Sequence, residues 1–176
     1  MSPMSTLSLP SDFTDPLAHL RRLHQQIRDQ LQQLAQVADR LAASGGADLD
    51  RQQMSACYQF FSRDAQQHEA DEREDIFPQL ARQSLKLADQ IHRLRQQHDA
   101  LDQQWQAVAL MLAKPSAIED ADQFRDQCRE FADRYRQHLD AEEEGPLLLA
   151  EHIFSRAELQ KIGRRMAERR GLRPPL

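Results

Sequence analysis

Apolar residues recur along most of the chain in alternating steps of three and four, the spacing that lines one face of an α-helix. A first stripe runs Leu17, Leu20, His24, Ile27, Leu31, Leu34, Ala38, Leu41. A second runs Met54, Cys57, Phe61, Ala65, His68, Glu72, Ile76. The third is Leu87, Ile91, Leu94, His98, Leu101, Trp105, Val108, Leu112, and the fourth Phe124, Cys128, Phe131, Tyr135, His138, Glu142. Helix breakers separate the stripes: Gly45-Gly46, Pro78, Lys114-Pro115 and Gly145-Pro146. Asp15 followed by Pro16 reads as a cap and first helical residue. Ser116 with Glu119, and Ser155 with Glu158, have capping-box spacing. The pattern predicts four long helices, ending near Gly45, Pro78, Ala113 and Gly145, and a shorter one after Ser155. Short connections make successive helices antiparallel. The expected fold is all-α, an up-down-up-down four-helix bundle with a short C-terminal helix. Residues 1–14 are expected to be an extended or disordered N-terminus, 15–150 the bundle, and 151–176 the C-terminal helix and a basic tail.

Composition agrees. A chain of 176 residues suits one domain with a sizeable core. Glycine is scarce, aromatics make up only 6%, and no run of Val, Ile, Thr and Tyr suggests a strand. A net charge of -5 argues against nucleic acid as a partner. Lys161, Arg164, Arg165, Arg169, Arg170 and Arg173 form the one basic segment, expected to be a solvated helix face. The longest apolar run, AVALMLA, is too short to span a bilayer, and the first residues lack a secretory pattern. Two cysteines outside any C-x-x-C motif fit a reducing compartment. A cytoplasmic protein with no membrane partner is expected.

The polar residues inside the stripes change the picture. Each stripe carries one histidine, and two of them add a glutamate four residues later, on the same helix face. A His-x-x-x-Glu pair alone is weak, since it serves equally as a surface hydrogen bond. Buried in a bundle core, two unpaired carboxylates and four imidazoles would be costly. Ligation to a metal removes that cost. Height agrees: at about 1.5 Å per residue, the four histidines lie roughly 9 to 20 Å from the same end of an antiparallel bundle. A repeat is visible too, since His24 precedes the His68/Glu72 pair by 44 residues and His98 precedes the His138/Glu142 pair by 40. Two halves, each giving two histidines and one glutamate, imply two metals bridged by carboxylates. Nitrogen and carboxylate donors in a bundle core suit iron or manganese.

Over residues 15 to 150 the chain resembles the hemerythrin-like (HHE cation-binding) domains, on His24, His68, Glu72, His98, His138 and Glu142. The spacing is most similar to the di-iron domain of repair-of-iron-centres proteins. The resemblance implies two non-haem iron ions, oxo- or hydroxo-bridged, with manganese and zinc as alternative metals. His24 and His68 are assigned to one ion, His98 and His138 to the other, with Glu72 and Glu142 bridging. The implied partners are dioxygen, nitric oxide or peroxide. Oxygen-carrying hemerythrins have a fifth histidine on the third helix, where this chain has Leu94 and Asp102. The repair proteins add a cysteine-containing N-terminal domain, which this chain is expected to lack.

Tyr135, one turn before His138, is either a hydrogen-bond donor to a bound ligand or an ordinary core tyrosine. Cys57 and Cys128 are expected to be buried and inert. Asp71, Glu74 and Asp75 are expected to face solvent, as are His19, His92 and His152. Three functions stay open: a protein that binds, stores or senses a diatomic ligand or peroxide, a redox-active stress protein that repairs or donates iron, and a metal-free structural bundle.

Overall fold

The computed structural model describes residues 13–45 and 48–172, without the side chains of Asp48 and Leu49. Among these residues every regular element is helical. The first helix, α1, spans Pro16–Ser44. Asp15 accepts a hydrogen bond from the Ala18 N–H (3.0 Å), and Gly45 ends the helix in the left-handed region (φ 76°), where a side chain would be strained. The expectation for residues 1–14 falls outside the described residues as far as residue 12. Phe13 is buried.

The second rod is a chain of segments: α2 (Asp48–Gln59), a π turn (Phe60–Asp64), α3 (Ala65–Asp71), a second π turn (Glu72–Ile76) and α4 (Phe77–Ala81). Residues at each junction keep right-handed helical torsions, so the rod is continuous. It does not stop at Phe77-Pro78 as the proline suggested. Inside an α-helix the ring of Pro78 would meet the carbonyl of Glu74. The wider π turn directly before it relieves that collision and lets the helix run on.

The third helix, α5, spans Leu85–Ala113 and is capped by Ser84, which accepts from the Leu87 N–H. The fourth, α6, spans Ala121–Glu144. Its cap is Asp120, which accepts from the Gln123 N–H at 2.9 Å, and not Ser116. Pro115–Ala117 instead form a single 3₁₀ turn, so the spacing of Ser116 and Glu119 never serves as a box. After Gly145 come α7 (Pro146–Ile153), which the sequence reading missed, and α8 (Arg156–Arg169). Ser155 and Glu158 do form the expected capping box at the start of α8.

The four rods pack as neighbours in an antiparallel bundle, and their apolar interior falls into two halves. One half holds Leu31, Leu34, Phe61, Trp105, Phe124 and Phe131. The other holds Leu20, Ile76, Phe77, Ile91, Leu94 and Leu147, and is closed by Phe154, Ile162 and Met166 from the C-terminal segments. On three rods the histidine lies between the two halves: His24 between Leu20 and Ile27, His68 between Ala65 and Ile76, His98 between Leu94 and Leu101. On the fourth, His138 and Glu142 follow Tyr135 and Leu139 of the first half and precede Leu147 of the second, on α7. A polar layer therefore crosses the bundle at one height. No described helix is long and apolar enough to cross a membrane.

Candidate metal centre

Six side chains from four rods fill that layer. His24, His68, Glu72, His98, His138 and Glu142 are all buried, none more than 3% exposed. Each glutamate divides its oxygens. Glu72 Oε1 lies 3.4 Å from His24 Nε2 and 3.5 Å from His68 Nε2, while its Oε2 lies 3.6 Å from His98 Nε2. Glu142 Oε2 lies 3.5 Å from His24 Nε2, while its Oε1 lies 3.4 Å from His98 Nε2 and 2.8 Å from His138 Nε2. The rings pair edge to face, His24 with His68 at 4.8 Å and His98 with His138 at 4.3 Å between centroids. Ligand atoms and carboxylates thus fall into two groups that could each hold an ion, His24, His68, Glu72 and Glu142 in one, His98, His138 and Glu142 in the other.

The polar bookkeeping fits a cation. His68 Nδ1 and Nε2, Glu72 Oε2 and Glu142 Oε2 are buried with no hydrogen-bond partner, and the 2.8 Å approach of His138 Nε2 to Glu142 Oε1 lacks hydrogen-bond geometry. Leaving such atoms unsatisfied costs roughly 1–3 kcal/mol each. Yet most of these donor atoms stand about as far apart as two ligands of one ion. Atoms about 2.1 Å from a shared metal, at tetrahedral or right angles, lie about 3.0–3.4 Å from each other.

A surrounding set of side chains orients the imidazoles. His24 Nδ1–H donates to Glu143 Oε1 (2.8 Å), which Arg28 grips with both terminal nitrogens at 2.8 and 2.9 Å. His138 Nδ1–H donates to the amide oxygen of Gln97 (2.8 Å). Both bonds hold the rings so that Nε2, once deprotonated, directs its lone pair at the centre. Burial disfavours a charged His24, but the Glu143 hydrogen bond and the carboxylates of Glu72 and Glu142 carry its pKa up to about 10. His98 is likewise buried, and Glu142, Glu72 and Glu69 raise it to about 9. Burial, with His24 beside it, pushes His68 well down. Burial and the neighbouring Glu142 push Glu72 up. Glu142 is held well below the usual carboxylate range, the histidines around it outweighing its burial. Hydrogen bonds from His24 and Arg28 lower Glu143 to about 2.

An HHE cation-binding model of the hemerythrin family matches residues 15–168, with the six-residue cluster inside the match. The chain belongs to the hemerythrin family. The hemerythrin-like chain is also 26% identical over 159 residues to an uncharacterized protein of Haemophilus influenzae, covering 90% of this chain and 91% of that one.

Other sequence expectations met mixed outcomes in this hemerythrin-like bundle. Tyr135 is buried, with its ring 6.2 Å from that of His138 and 5.6 Å from that of Phe131. Burial raises its phenol pKa well above the usual value, so it stays protonated. A cavity of about 10 Å³ borders it and His98, walled by Phe61, Trp105 and Phe131, with room for about one water. Cys57 and Cys128 are buried free thiols, their pKa values raised by burial. His92 and His152 are exposed. His19 is not on the surface: it is buried with its ring 4.6 Å from that of Phe13. Leu94 is buried in the core, and Asp102 accepts a hydrogen bond from Gln66. Asp71 and Asp75 are buried, not solvated, and three arginines of the basic segment bind them. Sequence reasoning missed Arg28, Gln97 and this arginine set. Arg28 sits one turn after His24 and Gln97 directly before His98, positions beside the stripes that carry no signal of their own.

Proposed function

We propose that the protein is a hemerythrin-like non-haem di-iron protein that binds dioxygen, nitric oxide or peroxide at a four-histidine, two-glutamate site. One observation supports this above the others: each glutamate presents one oxygen to each histidine pair. That division would let His24 and His68 hold one ion and His98 and His138 a second, with Glu72 and Glu142 shared between them. The first position would receive two imidazole nitrogens and an oxygen from each glutamate; the second would receive two imidazole nitrogens and Glu142, with Glu72 Oε2 nearest His98. When bound, the iron pair would supply coordination positions that the protein does not fill, and the redox activity to engage a small ligand.

The chain's own residues do the rest. Glu143, fixed by Arg28, orients His24, and Gln97 orients His138. Phe61, Trp105 and Phe131 confine the Tyr135 side to a cavity of about one water. The protonated Tyr135 hydroxyl is a candidate donor to a bound ligand.

The test is titration of iron-loaded protein with nitric oxide and with peroxide, following visible absorption and product. A saturable change reversed by removing nitric oxide supports a binding, storage or sensing role. Continuous peroxide consumption, or iron transfer to an acceptor protein, supports the redox stress-response and repair alternative. An iron-loaded protein that responds to neither ligand contradicts both.

A further inference from the structure

Behind Glu72, on the outer face of the rod, the arginines of α8 converge on carboxylates that flank it in sequence. Arg169 donates to Asp71 Oδ1 through Nη1, and to Glu74 Oε2 (2.8 Å) and Asp75 Oδ2 (3.0 Å) through Nη2. Arg170 grips the two oxygens of Asp71 at 3.1 and 2.7 Å. Asp71 and Asp75 are buried, at 0% and 2% exposure. One guanidinium thus spans the residue before the π turn Glu72–Ile76 and two of the three acids within it, Glu74 and Asp75.

A π turn is rare inside an α-helix and is found most often at functional sites. Here the outer face is held by α8, while on the inner face Glu72 lies 3.4–3.6 Å from three imidazole nitrogens. The docking of α8 is itself tight. A Cβ at Gly163 would lie 2.0 Å from the Phe13 carbonyl oxygen, so the N-terminal segment lies directly on this helix, and Arg170 sits 5.5 Å over the Phe13 ring. Without Arg169 and Arg170, Asp71 is left as a buried uncompensated charge, and the backbone beside Glu72 loses most of its outer anchor.

We propose that Arg169 and Arg170 are positioning residues for Glu72: they hold the π turn from outside so that this carboxylate keeps its oxygens divided between the two histidine pairs. The docking of α8 thereby sets how firmly the centre keeps its metal. This rests on the metal reading above.

The experiment loads wild type, Arg169→Gln/Arg170→Gln, the milder Arg169→Lys, and a control, Arg40→Gln, with iron. The control removes an arginine from buried Asp50 in the distant half of the bundle (2.7 Å). Each is read by visible spectrum, by the rate of iron transfer to a chelator, and by thermal unfolding. The expected result is an altered spectrum and at least about tenfold faster release in the double variant, a smaller acceleration in Arg169→Lys that survives if the double variant fails to fold, and wild-type release in Arg40→Gln despite its lost stability. Wild-type spectrum and release rate in both α8 variants, or equal acceleration in Arg40→Gln, overturns the positioning role and leaves the metal reading intact. A wild type that takes up no metal overturns the metal reading instead, and this inference with it.

Discussion

At the scale of single residues, protons and metal compete for the same nitrogens. In the metal-free protein His24 has a pKa of about 10 and His98 of about 9, against about 6.5 in an unfolded chain. The folded state therefore holds these protons more tightly, a stabilisation fully present below about pH 6.5 and lost as pH rises through about 9 to 10. Glu72, raised by burial and Glu142, acts in the same direction, because its ionisation opposes folding. Metal needs the nitrogens deprotonated, so binding expels protons and strengthens as pH rises. Scanning calorimetry should show the metal-free protein losing stability over this window while the gap to the loaded protein widens. A gap that narrows contradicts the assignment. Glu143→Gln tests the outer set: it keeps the hydrogen bond from His24 Nδ1 but removes the charge, and metal affinity should fall about 10–100-fold in chelator competition. The ligands were legible in sequence because histidine and glutamate are out of place on an apolar stripe. Of their partners, Glu143 was legible only as a neighbour of Glu142, either solvated or supporting the ligands, because it meets His24 from 119 residues away. Gln97, which meets His138 from 41 away, was not legible at all.

At the scale of elements, helix identity was readable and helix interruption was not. The period of α1 and α5 locates both within a residue or two, with Asp15-Pro16 and Gly45 marking the ends of α1. The two π turns leave no local mark, since the same residues would fill α turns, and their form depends on what packs against them. Pro78 was a true signal read too strongly, because the turn before it absorbs the clash. The start of α6 was read from Ser116 and Glu119, but the side chain that reaches the free amide is Asp120. Asp120→Ala should cost about 1 kcal/mol in urea unfolding, whereas Ser116→Ala should stay within about 0.5 kcal/mol. The reverse order would restore the expected box. The basic stretch of α8 was read as solvated, since nothing in it shows that Asp71 and Asp75 lie opposite. Its arginines at 165 and 169 share a helix face, which is also what a solvated helix displays.

At the scale of the whole molecule, a polar layer divides one apolar interior into two. Four imidazoles and two carboxylates in such a place are destabilising as bare groups and become ligands around a cation. The central claim is therefore metal occupancy, measured most directly as metal content with the visible spectrum of protein purified without added metal. The expected result is two irons per chain with charge-transfer absorption, and a large drop in melting temperature after chelation. No metal, or a single zinc, with stability unchanged by the chelator, would contradict the claim and leave a helical bundle whose histidines are paired only with its own carboxylates.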